Sequence, residues 1–357
     1  MSTSRPPRRS GGGALWGRAA VVLLAVVLLV ACGDATLGAP AALSATGAPS
    51  PTTAAASVPA AVPGPAARGR LVVHGTGDVN LDPSYVPALA ARGYGHAWSG
   101  LGGLFGDDDL TIVNLECPVS DLGAIVPKEF NFRCDPAALP AARAAGVDVA
   151  NLANNHSGDY GPAALLDSVD RLRGSGIAPV GVGADVAAAA TPAIVERNGW
   201  RIAVLGFGGV VPAADWLAGP RRPGMASGDD VAAMTAAVRA AAAQADLVFV
   251  TIHWGVELDT RPRPDDVARA HALIDAGADG IFGHHAHRLQ PLDVHGGRPI
   301  AWGLGNFVWP TLSDAGSRSA VAEFVVEPDG TVHGCLLPVR ITSPGHPELI
   351  GARSCPT

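Results

Sequence analysis

The chain has 357 residues and a formal net charge of −7 at pH 7, and 48% of its residues are hydrophobic. This composition suffices for one large domain or two smaller ones with a full core. The acidic balance excludes a general nucleic-acid-binding role, because such proteins draw most of their affinity from a basic surface. An anionic substrate would need cations supplied locally, by a few arginines or by metal ions.

Residues 1–31 have the pattern of a bacterial export signal. Arginines and no acidic residue precede an apolar stretch at residues 19–31, which is too short for a comfortable transmembrane helix. The segment ends in Leu29-Val30-Ala31-Cys32, which resembles a lipobox. That resemblance implies cleavage before Cys32, diacylglyceryl attachment to its sulfur and anchoring at the extracytoplasmic face of the cell membrane. A plain secretory peptide with an incidental cysteine is the alternative.

Residues 32–69 comprise the lipidated cysteine and an Ala/Pro-rich segment without a periodic apolar pattern, which predicts a disordered tether. We expect the folded domain to extend over residues 70–341 and residues 342–357 to form a C-terminal tail. The sequence thus predicts a single folded domain held away from the membrane.

Strands and helices are expected to alternate up to residue 282, and hairpins to follow. The predicted strands are residues 71–75, 111–115, 146–151, 178–182, 193–195, 202–205, 247–252 and 280–282, and the predicted helices are 162–173, 231–245 and 264–276. Asn198-Gly199 is the strongest hairpin signal, and later hairpins pair 291–294 with 299–302 and 321–326 with 331–339. This order favours an α/β or mixed α–β layered domain.

Four cysteines remain after Cys32, and export makes them candidates for disulfide bonds. Proximity in sequence favours two pairs, Cys117–Cys134 and Cys335–Cys355. Three connectivities are possible, and four buried free thiols are a further alternative.

Polar motifs follow the predicted strands, where open α/β sheets bind ligands. In chain order they are G-D-V-N (77–80), N-L-E (114–116), N-N-H-S-G-D (154–159), H-W-G-V-E (253–257), G-H-H-A-H (283–287) and G-L-G-N-F (303–307). Each motif alone fits a turn or a solvated loop, but a core gains nothing from so many unpartnered polar groups. Carboxylate, imidazole and amide oxygen together suit Mn, Zn, Fe or Mg, and two bridged ions would use this many ligands.

The six motifs, in this order and spacing, resemble the CapA capsule-synthesis family over about residues 70–339. That family is associated with poly-γ-glutamate biosynthesis and export, and it looks like a divergent branch of the calcineurin-like metallophosphoesterases. The resemblance implies an α+β fold, a four-layer α-β-β-α sandwich around a dinuclear site for divalent metal ions such as Mn, Fe, Zn or Mg.

The resemblance also assigns residues to the site. The implied metal ligands are Asp78, Glu116, Asn155, His253, His285 and His287. His156 is the implied catalytic residue, which hydrogen-bonds the leaving group or the substrate phosphate. Asn80 stands where these phosphoesterases have a histidine ligand and Glu116 where they have a bridging aspartate, so two metal positions depart from the pattern.

The cluster G-H-H-A-H has a geometric interpretation of its own. His285 and His287 would alternate along an extended chain, so both side chains would point to the same side. On that interpretation His284 points to the other side and supports the site instead of binding metal.

We expect Lys128, Arg133 and Asn154 to bind an anionic polymer or a phosphoester. The sequence therefore favours a membrane-anchored accessory of capsule biosynthesis or export, acting beside membrane-embedded polymer synthase or export proteins. Two alternatives stay open: a secreted metal-dependent phosphoesterase with another substrate, and a non-catalytic polymer-binding lipoprotein.

Overall fold

The computed structural model describes residues 67–310 and 313–355, which form a mixed α/β fold with several sheets. The expected signal peptide, Cys32 and most of the tether lie outside the described residues. The strands are β1 (Leu71–Val79), β2 (Leu110–Leu115), β3 (Val147–Asn151), β4 (Ala178–Val180), β5 (Val182–Gly183), β6 (Ala193–Arg197), β7 (Trp200–Gly208), β8 (Gly224–Met225), β9 (Leu247–His253), β10 (Gly280–His284), β11 (Leu292–His295), β12 (Arg298–Ala301), β13 (Asn306–Val308), β14 (Arg318–Val326), β15 (Val332–Ser343) and β16 (His346–Leu349). The helices are α1 (Pro87–Arg92), α2 (His96–Ser99), α3 (Leu139–Ala145), α4 (Gly161–Gly174), α5 (Val186–Ala189), α6 (Val231–Ala242) and α7 (Pro264–Asp275).

Two large sheets carry most of the strands. The first has the order β16-β15-β14-β1-β2-β3-β4, with β13 also pairing with β1, and the second has the order β11-β12-β10-β9-β7-β6. The strands β1 to β4 are parallel to one another, as are β7, β9, β10 and β12. Parallel neighbours end at the same edge, so the motifs that follow them are brought together.

Three groups of buried apolar side chains hold the sheets and helices together. One group joins side chains from both sheets, including Leu110, Val149, Phe249, Phe282 and Phe324. A second joins the first sheet to α1, α2, α3 and α4, and the third joins the second sheet to α6 and α7. Each sheet therefore buries apolar residues on both faces, which explains why the parallel strands are continuously apolar in sequence.

The Asn198-Gly199 hairpin forms as predicted. The strands β6 and β7 pair up to Arg197 opposite Trp200. The two residues between them have positive φ angles of 48° and 79°, as a type I′ turn requires. The predicted strand at 178–182 is instead divided into β4 and β5, because Gly181 lies between them with a φ of 83°.

The predicted C-terminal tail is part of the first sheet, so the domain boundary at residue 341 was placed too early. The strand β15 continues to Ser343, and β16 pairs with it antiparallel after a turn at Gly345. Disulfide bonds join Cys335 to Cys355 and Cys117 to Cys134. The first of these bonds ties the last described residue to β15.

Over the part of the chain that the structure describes, no helix is long and apolar enough to cross a membrane.

A buried ionic network stabilises the centre of the first sheet. The Nδ1 atom of His74 on β1 lies 2.7 Å from Oδ2 of Asp108, and its Nε2 atom lies 3.1 Å from Oε2 of Glu323 on β14. Burial alone would lower the pKa of His74, but the two carboxylates outweigh it and raise that pKa above 6.5. The folded protein therefore holds the proton more tightly than the unfolded chain does.

This network predicts a stability that falls as the solution becomes alkaline. The contribution of a raised histidine pKa is complete below about pH 6.5 and is lost as the pH rises through the folded-state value. We expect the free energy of unfolding, measured by urea denaturation, to decline over that range in the wild type. In His74→Gln the decline should be smaller, and at pH 6 the variant should be about 3–5 kcal/mol less stable because two buried carboxylates lose their partner. His333→Gln, at an exposed position, is the control. A constant difference between wild type and His74→Gln at every pH would contradict the assignment.

Candidate metal centre

The six motifs that follow the strands meet at one edge of the fold. Asp78 on β1 is paired in register with Asn114 on β2 and with Asn306 on β13. On the other sheet, His253 and His284 are the paired final residues of β9 and β10. Close packing at this edge requires Gly77, because a Cβ atom there would lie 2.2 Å from the carbonyl oxygen of Gly305. The ends of both sheets thus carry the candidate ligands.

Two groups of candidate ligands share Glu116. One group contains Glu116, His253 and His285, and the other contains Asp78, Glu116 and His287, with potential ligand atoms within 4.8 Å of one another in each group. Nε2 of His253 and Nε2 of His287 lie 3.6 Å and 3.8 Å from the same carboxylate oxygen, Oε1 of Glu116. A single buried carboxylate therefore connects the two groups.

The polar atoms of this cluster fit a cation. Both carboxylate oxygens of Glu116 and the Nδ1 atom of His285 are buried without a hydrogen-bond partner in the described residues, and Oδ2 of Asp78 lies 3.1 Å from Nδ1 of His287. Glu116 and Asp78 are 0% exposed. Buried polar atoms without partners are costly, and metal coordination is one of the few ways to satisfy them. Oxygen and imidazole nitrogen donors suit Mn, Fe or Zn, and the oxygen donors alone suit Mg.

Burial and close approach shift the pKa values of the acids and imidazoles in the cluster. Burial and the charge of Asp78 raise the pKa of Glu116 well above its ordinary value. Burial would lower the pKa of His287, but the carboxylates of Glu116 and Asp78 raise it to about 9. Burial lowers the pKa of His285 to about 4 and that of His253 well below 6.5. These two imidazoles are neutral at pH 7, which is the form that binds metal.

Amide side chains fix the orientation of the carboxylate and imidazole ligands. Nδ2 of Asn114 donates a hydrogen bond to Oδ1 of Asp78 at 2.9 Å and lies 3.1 Å from Nδ1 of His253. Oδ1 of Asn155 lies 2.8 Å from Nε2 of His253. Such supporting contacts hold the predicted metal ligands in place. The structure therefore brings all six predicted ligands together.

The geometric argument for the histidine pair was wrong, although the two rings are close. His285 and His287 have left-handed backbones, with φ angles of 89° and 51°, and they follow β10 instead of continuing it. Their ring centroids are 5.9 Å apart. The tight bend, and not an extended alternation, turns both rings toward the carboxylates. Non-glycine residues in this conformation cluster at functional sites.

His284 and Asn80 occupy the remaining positions around the cluster. Nε2 of His284 is 2.9 Å from Oγ1 of Thr251, and its Nδ1 is 3.8 Å from Oδ1 of Asp78. Oδ1 of Asn80 accepts a hydrogen bond from the backbone N–H of Asp82 at 2.9 Å. Neither residue belongs to a candidate ligand group among the described residues.

His156 is held by an acid and a lysine. Its Nδ1 atom lies 2.7 Å from Oδ2 of Asp159 and 3.1 Å from Nζ of Lys128. The ammonium of Lys128 also donates to Oδ1 of Asp159 and to the carbonyl of Asn155, each at 2.5 Å. The imidazole stacks on Phe132, with the centroids 4.1 Å apart. Because Nδ1 is engaged, Nε2 is the nitrogen that can act on a ligand.

Lys128, Arg133 and Asn154, the residues predicted to bind substrate, all have partners within the protein. Lys128 is paired with Asp159. The guanidinium of Arg133 lies 3.6 Å over the ring of Tyr160 and donates to backbone carbonyls of the same loop. Asn154 is 0% exposed and donates to the carbonyl of Leu115. Lys128 therefore lies beside Asn155 and His156, whereas the guanidinium of Arg133 is held within its own loop.

A cavity of about 210 Å³ opens over the cluster and contains residues that the sequence analysis did not assign. His156 and His287 line it, together with Tyr85, Phe130, Phe132, Glu257, Leu258, Arg288, Asn306, Trp309, Ser313 and Gly316. Arg288 directly follows the histidine cluster and Asn306 belongs to G-L-G-N-F, so the motifs could have identified both residues as candidates. Asp159 could also have been identified, since it is the last residue of the motif N-N-H-S-G-D.

The environment of His156 predicts opposite effects of its two charged neighbours. Burial lowers the pKa of His156, Asp159 opposes that shift and the charge of Lys128 adds to it. We therefore expect Asp159→Asn to lower this pKa further and Lys128→Met to raise it, as measured by NMR titration of the imidazole. Asp170→Asn, at a side chain that is 81% exposed, should leave it unchanged. Shifts of the same sign in the first two variants would contradict this arrangement.

Comparison with known proteins places the chain in a family. The family model described as "Bacterial capsule synthesis protein PGA_cap" matches residues 72–311. The chain is 33% identical over 262 residues to a probable polyglutamine synthesis accessory protein of Mycobacterium tuberculosis, covering 70% of this chain and 65% of that protein. It is 33% identical over 226 residues to capsule biosynthesis protein CapA of Bacillus anthracis, covering 62% and 54%.

The match thus spans less than two thirds of the length of these curated relatives. A solved structure, NAD nucleotidase of Haemophilus influenzae, aligns with 76% of this chain and 50% of that one at 11% identity and a TM-score of 0.46. That likeness is too distant to define an activity. Because the family model spans more than half of the chain, this protein belongs to the PGA_cap family of bacterial capsule synthesis proteins.

Proposed function

We propose that this protein is a lipid-anchored accessory of capsule (poly-γ-glutamate) biosynthesis or export at the extracytoplasmic face of the cell membrane. It would carry a dinuclear divalent-metal site of the metallophosphoesterase type. The observation that carries this proposal is the pair of ligand groups that share the buried carboxylate of Glu116. Family membership and the names of the relatives support the capsule role.

The proposed site needs a fold in which two sheets end at one edge. The three buried apolar groups, one between the sheets and two beneath the helices, support a four-layer α-β-β-α sandwich. In such a sandwich the two sheets would supply different ligands, Asp78 and Glu116 from one and His253 and His285 from the other. This division explains why no single motif contains a complete site.

One ion would be held by Asp78, Glu116 and His287, and the other by Glu116, His253, His285 and Asn155. When bound, two divalent ions would activate water and neutralise charge on the oxygens of a phosphoryl group. His156 lines the cavity, and Asp159 holds its Nδ1 atom. The imidazole can therefore donate a hydrogen bond or a proton from Nε2 to a leaving oxygen. Phe132 and Trp309 border this space.

Asn80 favours a second candidate function, a protein that binds the polymer without cleaving it. An amide at this position replaces the imidazole that metallophosphoesterases are expected to have there, and Asn80 contributes to neither ligand group. A weaker site could hold carboxylates of the polymer through metal without turnover. A secreted phosphoesterase with another substrate would use the same ligands, and only its substrate range would differ.

The shared carboxylate predicts how metal binding responds to mutation. Elemental analysis of the purified protein should find two divalent ions per chain, as expected for a bridged site. Glu116→Gln should lose both, because each ligand group loses its common member, whereas Asp78→Asn and His253→Asn should each weaken one position. Glu196→Gln, at a side chain that is 75% exposed, is the matched control. Retention of both ions by Glu116→Gln would refute the bridged site.

The position of His156 predicts that its substitution reduces catalysis without loss of metal. If the protein hydrolyses phosphoesters, turnover of a model aryl phosphodiester should fall about 10²–10⁴-fold in His156→Gln. The metal content should stay the same, since His156 is not a ligand. Unchanged turnover would remove this role. Binding of γ-glutamyl polymer with no turnover in the wild type would favour the non-catalytic candidate.

The lipid anchor is tested separately. We expect Cys32→Ala to move the protein from the membrane fraction to the soluble fraction, because the acyl chains supply the anchoring energy. Immunoblots of fractionated cells measure this distribution, and Arg18→Gln is a control that leaves the cysteine intact. An unchanged membrane fraction for Cys32→Ala would reject lipidation at that residue.

A further inference from the structure

The cavity over the ligand cluster contains an arginine for which the proposed mechanism has no use. Arg288 lines this cavity beside His287, and its Nη1 atom donates a hydrogen bond to the carbonyl oxygen of His287 at 2.7 Å. No ion pair to Arg288 occurs within residues 67–310 and 313–355. A guanidinium has five N–H donors, so most of its hydrogen-bonding capacity remains for a ligand.

A buried acceptor lies next to this guanidinium. Asn306 is 2% exposed and lines the same cavity, and its Nδ2 atom donates to the carbonyl oxygen of Gly316 at 2.9 Å. Its Oδ1 atom has no hydrogen-bond partner among the described residues. A Cβ atom on Gly316 would lie 3.5 Å from Nη1 of Arg288 and 3.7 Å from Nδ2 of Asn306. Both side chains therefore border one small space, and the glycine leaves it open.

We propose that Arg288 and Asn306 form a subsite beside the metal centre for a carboxylate and the adjacent amide N–H of an acidic, amide-linked polymer. The guanidinium fork matches a carboxylate in geometry and charge. The free Oδ1 atom of Asn306 accepts the amide N–H. In a γ-linked glutamyl unit, the α-carboxylate and the N–H are attached to the same carbon, so one unit presents both groups together. This inference rests on the proposed function and assigns two residues of its site to recognition of the polymer.

The other charged residues near the cavity restrict where such an anion can bind. Lys128 and Arg133 are engaged elsewhere, as described above. The carboxylate of Glu257 lies within 4.8 Å of ring nitrogens of His285 and His287, so it repels an anion on that side unless metal is bound. Among the lysines and arginines of the described structure, Arg288 is the one that lines this cavity.

The mouth of the cavity suits the apolar part of the same unit. Phe130 and Leu258 line the cavity but are 58% and 59% exposed. Leu258 also has a left-handed backbone, with a φ of 69°, which is costly for a branched residue. Exposed apolar side chains held at the opening can pack against the methylene groups between the carboxylate and the amide.

The test compares two oligomers that differ only at the α-carboxyl group, with inorganic phosphate as a third ligand. Binding of a γ-linked glutamate oligomer, of the same oligomer with α-carboxamides, and of inorganic phosphate is measured by calorimetry on metal-loaded, full-length protein in detergent. Arg288→Gln should bind the acidic oligomer about 10-fold to 100-fold more weakly. Its affinity for the carboxamide oligomer and its metal content should match the wild type. Arg288→Lys, which keeps the charge but not the fork, should be intermediate.

Arg239→Gln, at an exposed position on α6, is the matched control and should bind like the wild type. Equal weakening of both oligomers in Arg288→Gln, or of neither, would overturn the subsite. Equal weakening of phosphate and acidic oligomer would assign the arginine to phosphate and overturn the carboxylate assignment. Wild-type protein that retains two metal ions but does not bind the acidic oligomer would overturn the subsite while leaving the metal centre intact. Absence of metal from the wild type would instead contradict the proposed function.

Discussion

The candidate site depends on one buried carboxylate. Glu116 is 0% exposed, and neither of its oxygens has a hydrogen-bond partner in the described residues. An uncompensated buried charge costs several kcal/mol, and here a second carboxylate, Asp78, adds repulsion. His287 offsets part of this with a pKa raised to about 9. Divalent cations would offset the rest, which gives a physical reason for the density of imidazoles around the two acids.

The fold positions these groups by ending parallel strands of two sheets at one edge. The first sheet supplies carboxylates and amides, and the second supplies most of the histidines. A packed core joins the sheets behind the cluster, so the ligand atoms are fixed by structures on both sides. Asp159 and Asn114 then orient the imidazoles of His156 and His253 at their Nδ1 atoms. Rigid support of this kind is what a metal or catalytic site requires.

The sequence predicted most strands of the two large sheets, the hairpins and the residues that meet at the candidate site, because each motif directly follows an apolar strand and strand ends are where parallel sheets bind ligands. It did not predict the backbone of His285 and His287, since a left-handed conformation at a histidine outside a hairpin turn has only a weak local signal. The orientations of the Lys128 and Arg133 side chains could not be predicted from the sequence either. They depend on the path of the loop between Cys117 and Cys134 and on the burial of Asp159, which pattern alone does not reveal. The pairing of β15 with β16 was missed because that segment carries little apolar periodicity.

The most direct test of the central claim is anomalous diffraction from crystals of the metal-loaded protein. The account predicts two peaks about 3.5–4 Å apart on either side of Glu116, one beside His253 and His285 and the other beside Asp78 and His287. A single peak that does not touch Glu116, or none at this edge of the sheets, would contradict it.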